Sequence, residues 1–507
     1  MASLTIRLHP ADNVVVAGAD LLPGTRLPGT DVACGTTVPA GHKVAVQPIA
    51  AGEPVRKYNQ VIGFATAAIA PGEHVHVHNL SMGDEFERDY AFGADARPTD
   101  LVPEAERATF QGIRRADGQV ATRNYIGVLT SVNCSATAAR LIADHFRGAA
   151  LAAYPNVDGV VALAHGYGCG MGAQGDAIDA LRRTIAGYAR HPNFAAVLII
   201  GLGCEVNQVD RLVEAEGLEL GARVRTLSIQ DLGGTTAAVR EGIRLIEALL
   251  PEADAVVRRP LPASHLTLAL ECGGSDGYSG ITANPALGHA VDLLVRQGGT
   301  AILSETPEVY GAEHLLTRRA VSRAVGEKLV ERIRWWEDYT SRTGGEMNNN
   351  PSPGNKKGGL TTILEKSLGA VAKAGTTALT EVYRYAEPVT AKGLVFMDTP
   401  GYDPVAATGQ VAGGANVLCF TTGRGSVFGS KPVPCLKLAT NTALFRRMPD
   451  DMDIDCGPIA SGDATIEEVG RRIFQMILDT ASGTKSKSEL IGVGSDEFIP
   501  WQMGAVM

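Results

Sequence analysis

Short apolar runs recur along most of the chain, and each ends abruptly in a loop of glycine and polar residues. They occupy residues 126–132, 159–164, 196–200 and 224–229, and again 266–270, 300–304, 393–397, 417–420 and 436–439. Helix-spaced segments separate them, including 235–250, 309–342 and 466–481. Strand-length runs alternating with helical periodicity predict parallel α/β structure. Residues 1 to about 90 follow another rule. Their runs are shorter and bounded by Gly/Pro turns, and an echo appears in IAAGEPV (49–55) and IAPGEHV (69–75). Turns feeding short strands predict a compact all-β module.

The predicted fold is therefore α/β: a small N-terminal β module followed by two Rossmann-like domains with mostly parallel sheets. The expected boundaries are 1–92 for the module, 93–110 for a linker, 111–258 for the first α/β domain and 259–507 for the second. A chain of 507 residues is too long for one core. Its net charge of −9 argues against nucleic acid and polybasic membrane contacts as partners. No basic segment with an apolar core opens the chain, and no apolar run reaches a membrane span. The eight cysteines include no C-x-x-C pair, so reduced thiols and a cytoplasmic location are expected, with homo-oligomerisation left open.

The loops after the predicted strands carry the chemistry, because ligands of open parallel sheets bind beyond the carboxyl ends of strands. The fullest is ECGGSDG (271–277), leading through SGITANP to a helix. Cys134, Cys169, Cys204 and Cys272 each follow a separate strand, which points to a soft metal or an iron–sulfur cluster, although a buried cysteine is also an ordinary small core residue. His165 precedes Cys169 and is the first choice for acid/base work, against a hydrogen-bonded core histidine; Lys366, Glu305 and Glu308 come next. Thr362 and Glu365 have capping-box spacing, which is the favoured role for Glu365. Asp276, Asn350, Asn355, Lys356, Arg424 and Asn441 suit a polyhydroxy acid: the cations meet a carboxylate and the amides meet hydroxyls. No GxGxxG follows the first strand and no Walker sequence occurs.

In the module, HVHVHN (74–79) would place His74, His76 and His78 on one face of a strand. Three imidazoles there suit a divalent metal or acid/base chemistry, although same-face neighbours in a strand stand roughly 7 Å apart.

These motifs resemble the altronate/galactarate dehydratase family along essentially the whole chain. They are GEHVHVHN (72–79), HGYGCG (165–170), GLGCE (201–205), ECGGSDGYSGITANP (271–285), NPSPGNKKGGLTT (350–362), EKSLG (365–369) and TTGRG (421–425). The resemblance implies that the β module is a SAF domain. It implies a carbon–oxygen lyase that dehydrates a small sugar acid to a 2-keto-3-deoxy acid, with Fe²⁺ or another divalent metal such as Mn²⁺. An iron–sulfur cluster is the second choice of cofactor. D-altronate is the preferred substrate; galactarate, with Lys356 or Lys437 for its second carboxylate, is the alternative. A sulfolactate sulfo-lyase comes next, disfavoured because that branch separates module and body. A non-catalytic sugar-acid-binding protein is the contrasting class. The module is expected to cover the strand-end face of the body, with a histidine reaching the site.

Overall fold

The computed structural model describes residues 4–83, 88–504 and 506. Its N-terminal module is antiparallel β, with a four-stranded and a three-stranded sheet. Alternation along Val14–Ala17 divides its packing: Val15 and Ala17 join a local core with Leu21, Leu27 and Val44, while Val14 faces the core shared with the body.

The first α/β domain holds four parallel strands in the spatial order Gly159–Leu163, Tyr125–Thr130, Phe194–Gly201 and Val224–Ser228. Thr109–Arg114 pairs antiparallel with Arg258–Pro262, so the domain's entry and exit are zipped together. The second α/β domain carries a seven-stranded parallel sheet, in the order Leu379–Tyr383, Gly393–Met397, Thr300–Leu303, Thr267–Cys272, Val417–Thr422, Cys435–Ala439 and Ile454–Asp455. The central runs are buried on both faces, which is why they read as unbroken apolar stretches. From Thr267–Cys272 the chain first builds outward on one side and then returns to build on the other. The switch point therefore lies between Thr267–Cys272 and Val417–Thr422, where the loops bearing Asp276 and Arg424 leave the sheet.

Two elements differ from the sequence expectation. The helix expected over 309–342 is broken: His314–Thr317 is a short helix, Ala320 bridges to Leu379, and Ser322 caps a new helix, Arg323–Arg342. The HVHVHN strand is only His74–Val75. Asn79 then turns the chain back, accepting from the His76 N–H and donating to the His74 carbonyl. That turn gathers rings that an extended strand would hold apart.

Candidate active site

The carboxyl end of Thr267–Cys272 delivers Glu271 and Cys272 into the interior, and the adjacent strand Thr300–Leu303 delivers Glu305 and Glu308. Glu305 has φ +67, a left-handed conformation unusual for a non-glycine residue. Its N–H donates to Thr399 Oγ1 at 2.8 Å. Cys272 Sγ lies 3.8 Å from Glu305 Oε2 and 3.6 Å from Glu308 Oε2. Lys366 Nζ meets Glu308 Oε1 at 2.5 Å and Asn350 Oδ1 at 2.9 Å, and Lys373 Nζ stands 3.3 Å from Glu305 Oε2. All but the half-buried Asn350 are buried.

Burial and the neighbouring Glu308 push Glu305 up to about 8. Burial and Glu308 likewise raise Asp403, at the mouth of the cluster, to about 6. Burial drives the Cys272 thiol well up. Burial alone would lower Lys366, but Glu308, Cys272 and Glu305 hold it above its ordinary value and charged. Among the described residues, Glu271, Glu305, Glu308 and Asp403 thus share two ammonium groups, those of Lys366 and Lys373, and Glu305 Oε1 is buried without a hydrogen-bond partner.

That imbalance fits a cation. Among the described residues, Cys272, Glu305 and Glu308 bring one ligand atom each within 4.8 Å of one another, and a thiol with two carboxylates suits a borderline divalent transition metal.

A cavity of about 520 Å³ opens between module and body, and its lining, from the loops after the same sheet, includes none of the cluster residues. Arg424, Arg447, Lys357, Asp276, Asn441 and the module's His42 line it. Asp276 organises its wall, accepting from Thr440, Ser279, Asn441 and the Tyr278 N–H. Asn441 is committed to Asp276 and to capping Leu444, and Asn355 to Ser275 and Ser352. Asn350 serves Glu308 and Lys366. The exposed Arg424 guanidinium makes no hydrogen bond among the described residues and is open to a ligand. Lys357, rather than Lys356, faces the cavity; Lys437 is buried and lies 3.8 Å from Asp451.

The structure places other candidates elsewhere. His165 is buried, with Nε2 donating to Thr130 O at 2.9 Å and Nδ1 accepting from the Tyr167 N–H at 3.1 Å. Burial holds it neutral at about 4, and no nitrogen is free to act as a base. Cys134, Cys169 and Cys204 are exposed at strand ends of the four-stranded sheet, whereas Cys272 is buried in the other domain. The four thiols do not form one set.

Glu365 does more than cap. Thr362 accepts from the Glu365 N–H, but the carboxylate holds Lys43 at 2.8 Å and Lys57 at 3.0 Å. Burial would raise Glu365, yet the two lysines pull it down to about 2. With Tyr278 donating to Ala17 O and Thr362 to Ile62 O, this pairing seats the module on the strand-end face of the seven-stranded sheet. His42, Asp403, Lys373 and Lys43 were not singled out from the sequence. Only the GEHVHVHN motif hinted at a histidine near the site.

Comparisons with known proteins agree along the length. The chain matches the family description "Altronate/galactarate dehydratase SAF domain" over residues 3–83. It matches "D-galactarate dehydratase/Altronate hydrolase, second domain" over 112–254 and "D-galactarate/Altronate dehydratase, C-terminal" over 263–506. The chain belongs to the altronate/galactarate dehydratase family. Galactarate dehydratase (L-threo-forming) of Escherichia coli K12 is 41% identical over 489 residues, covering 95% of this chain and 93% of that one. Altronate dehydratase of the same organism is 38% identical over 486 residues, 96% of each chain. The beta subunit of (2R)-sulfolactate sulfo-lyase from Chromohalobacter salexigens is 32% identical over 394 residues, covering 77% of this chain and 96% of its own.

Proposed function

We propose that this protein is a metal-dependent hydro-lyase converting a six-carbon sugar acid to its 2-keto-3-deoxy acid. The observation that carries the reading is Lys366, charged and fixed by Glu308 and Asn350, beside a thiol–carboxylate donor set at the strand ends. Relatives named as altronate and galactarate dehydratases support it. Arg424 grips the substrate carboxylate, and Asp403, raised by burial to about 6, takes the C2 proton. Lys366 gives a proton to the departing C3 hydroxyl, so water leaves and the enol tautomerises to the ketone. Cys272, Glu305 and Glu308 would hold Fe²⁺ or Mn²⁺, which when bound stabilises negative charge developing at the carboxylate. The module excludes water above the cavity. With eight free cysteines, a reducing cytoplasm is the fitting location.

D-altronate is the proposed substrate. The second reading is galactarate, favoured by Arg447 and Lys357, which share the cavity with Arg424 and suit a second carboxylate. The test is anaerobic assay with Fe²⁺ across altronate, galactarate and related acids, reading 2-keto acid formed. Turnover of galactarate alone overturns the altronate preference. No product from any acid, with saturable binding, overturns the enzyme reading in favour of a sugar-acid-binding protein.

A further inference from the structure

Glu305 and Glu308 leave one short turn, and a loop that the reaction above does not use holds its backbone. Glu305 has φ +67, and the turn closes with the Glu308 N–H donating to the Glu305 carbonyl at 2.7 Å. In a left-handed residue other than glycine the Cβ crowds the following carbonyl oxygen. Such a conformation persists only where its surroundings over-determine it. Here the surroundings are Asp398 and Thr399, which follow Gly393–Met397, the strand paired with Thr300–Leu303.

Thr399 Oγ1 accepts the Glu305 N–H at 2.8 Å and gives its own hydrogen to the Pro400 carbonyl at 3.1 Å. The Thr399 carbonyl accepts the Thr306 N–H at 3.0 Å. Asp398 Oδ1 accepts the Thr306 hydroxyl at 2.6 Å and the Trp336 indole N–H at 2.8 Å, which ties the loop to the helix Arg323–Arg342. Asp398 is 4% exposed, and Thr306 and Thr399 are fully buried, so bulk water does not replace these partners. The bonds fall on the turn's backbone and on Thr306, so what they fix is where the two carboxylates stand. In this arrangement Glu305 Oε2 and Glu308 Oε2 lie 3.8 and 3.6 Å from Cys272 Sγ. An ordinary helical φ for Glu305, about 130° away, would redirect its Cα–Cβ bond and break up that set.

We propose that Asp398 and Thr399 are positioning residues, which hold Glu305 left-handed and so preset the Cys272–Glu305–Glu308 spacing for a divalent ion. The inference rests on the metal-dependent reading above and adds to it the residues that shape the site before the ion arrives. Groups that orient ligands without touching the ion typically govern affinity by about 10–100-fold. Neither residue lines the cavity that Arg424 shares, so ion binding and kcat should respond while KM for the acid holds.

The test titrates full-length, metal-stripped protein with Mn²⁺ alone and reads the free ion by electron paramagnetic resonance. Thr399→Val keeps the side chain's shape but not its acceptor, and is expected to weaken Mn²⁺ binding by about 10–100-fold. Thr306→Val breaks the bond to Asp398 from the other side, and should weaken binding in the same direction. Thr399→Ser and Thr306→Ser keep the hydroxyls and should restore it. Thermal melts without metal separate a purely structural role, which lowers Tm but leaves the ion affinity of the folded protein unchanged. Wild-type affinity in both folded valine variants, with the ion lost in Cys272→Ala, overturns the proposal and leaves the metal reading standing. Wild-type affinity in Cys272→Ala overturns the metal reading itself, and the proposal with it.

Discussion

Glu365 and Lys366 are consecutive residues of one helix, yet each is bonded to a different domain. Glu365 holds Lys43 of the module at 2.8 Å, while Lys366 meets Glu308 of the body at 2.5 Å. Neighbouring helical positions point about 100° apart, so one turn joins module docking to the proposed proton donor. A shift of the module acts on the same turn that carries Lys366.

Lys366→Met is expected to lower kcat by about 10²–10⁴-fold, the usual share of a general acid. It also leaves Glu308 buried without its ammonium, at a stability cost of roughly 3–5 kcal/mol. Single-turnover assays separate the two effects: Lys366→Arg should recover most of the melting temperature and little of the rate. Wild-type kcat in a folded Lys366→Met would remove Lys366 from the chemistry.

Glu365→Gln strands two buried ammonium groups and is expected to destabilise module docking by about 3–5 kcal/mol. The pH dependence has a definite sign. Glu365 is lowered to about 2 in the folded protein from an ordinary 4.5, so its contribution is full above pH 4.5 and is lost as pH falls toward 2. The integrated effect is about 3 kcal/mol. Thermal melts and limited proteolysis between pH 3 and 7 should show the module released first in acid, with that slope flattened in Glu365→Gln.

The strand-and-loop rhythm was legible because strands buried on both faces print unbroken apolar runs, and their loops then fall on one edge. Cys272, Glu305 and Arg424 were candidates on that basis, whereas Lys366 sits on the helix Ile363–Ala372 and follows no strand. The edge strand Leu379–Tyr383 escaped notice because its mixed residues are only partly buried. Pairings across domains were invisible: nothing local distinguishes Lys43 or His42 from a surface residue until the module is docked. His165 misled for the opposite reason. Its place after a strand suggested chemistry, but both nitrogens are taken by backbone groups that sequence spacing does not reveal.

Arg424→Ala is expected to raise KM by roughly 10–150-fold, the equivalent of about 1.5–3 kcal/mol for hydrogen bonds to a charged group. Arg424→Lys keeps the charge but not the fork, and should fall between the two. Because the guanidinium has no hydrogen bond among the described residues, melting temperature should hold within about a degree or two. A KM unchanged for every acid would move carboxylate recognition to Arg447 or Lys357.

The exposed thiols give a sharp contrast with Cys272. Replacing Cys134, Cys169 and Cys204 together by serine should leave iron content and rate near wild type, since none of them is in the buried donor set. Cys272→Ala should lose iron at that set. Acid-labile sulfide in the wild type, absent in the triple variant, would instead establish an iron–sulfur cluster on the four-stranded sheet.

Gly277→Ala tests whether the seating of the module matters at all. A Cβ at 277 would lie 1.9 Å from Gly41 O, and that carbonyl belongs to module backbone that cannot turn aside as a side chain would. Gly41 adjoins His42, so the methyl pushes on the residue that walls the cavity and contacts Lys357. Overpacking of this kind costs about 1–3 kcal/mol, and here it falls on the seam, away from the strands of either domain. The expected result is a folded body with faster proteolysis of residues 1–83, a raised KM and a lowered kcat. The rate should recover when osmolyte favours the compact state. Full activity with normal protease resistance would show that the module is seated elsewhere, or that its seating is not needed for turnover.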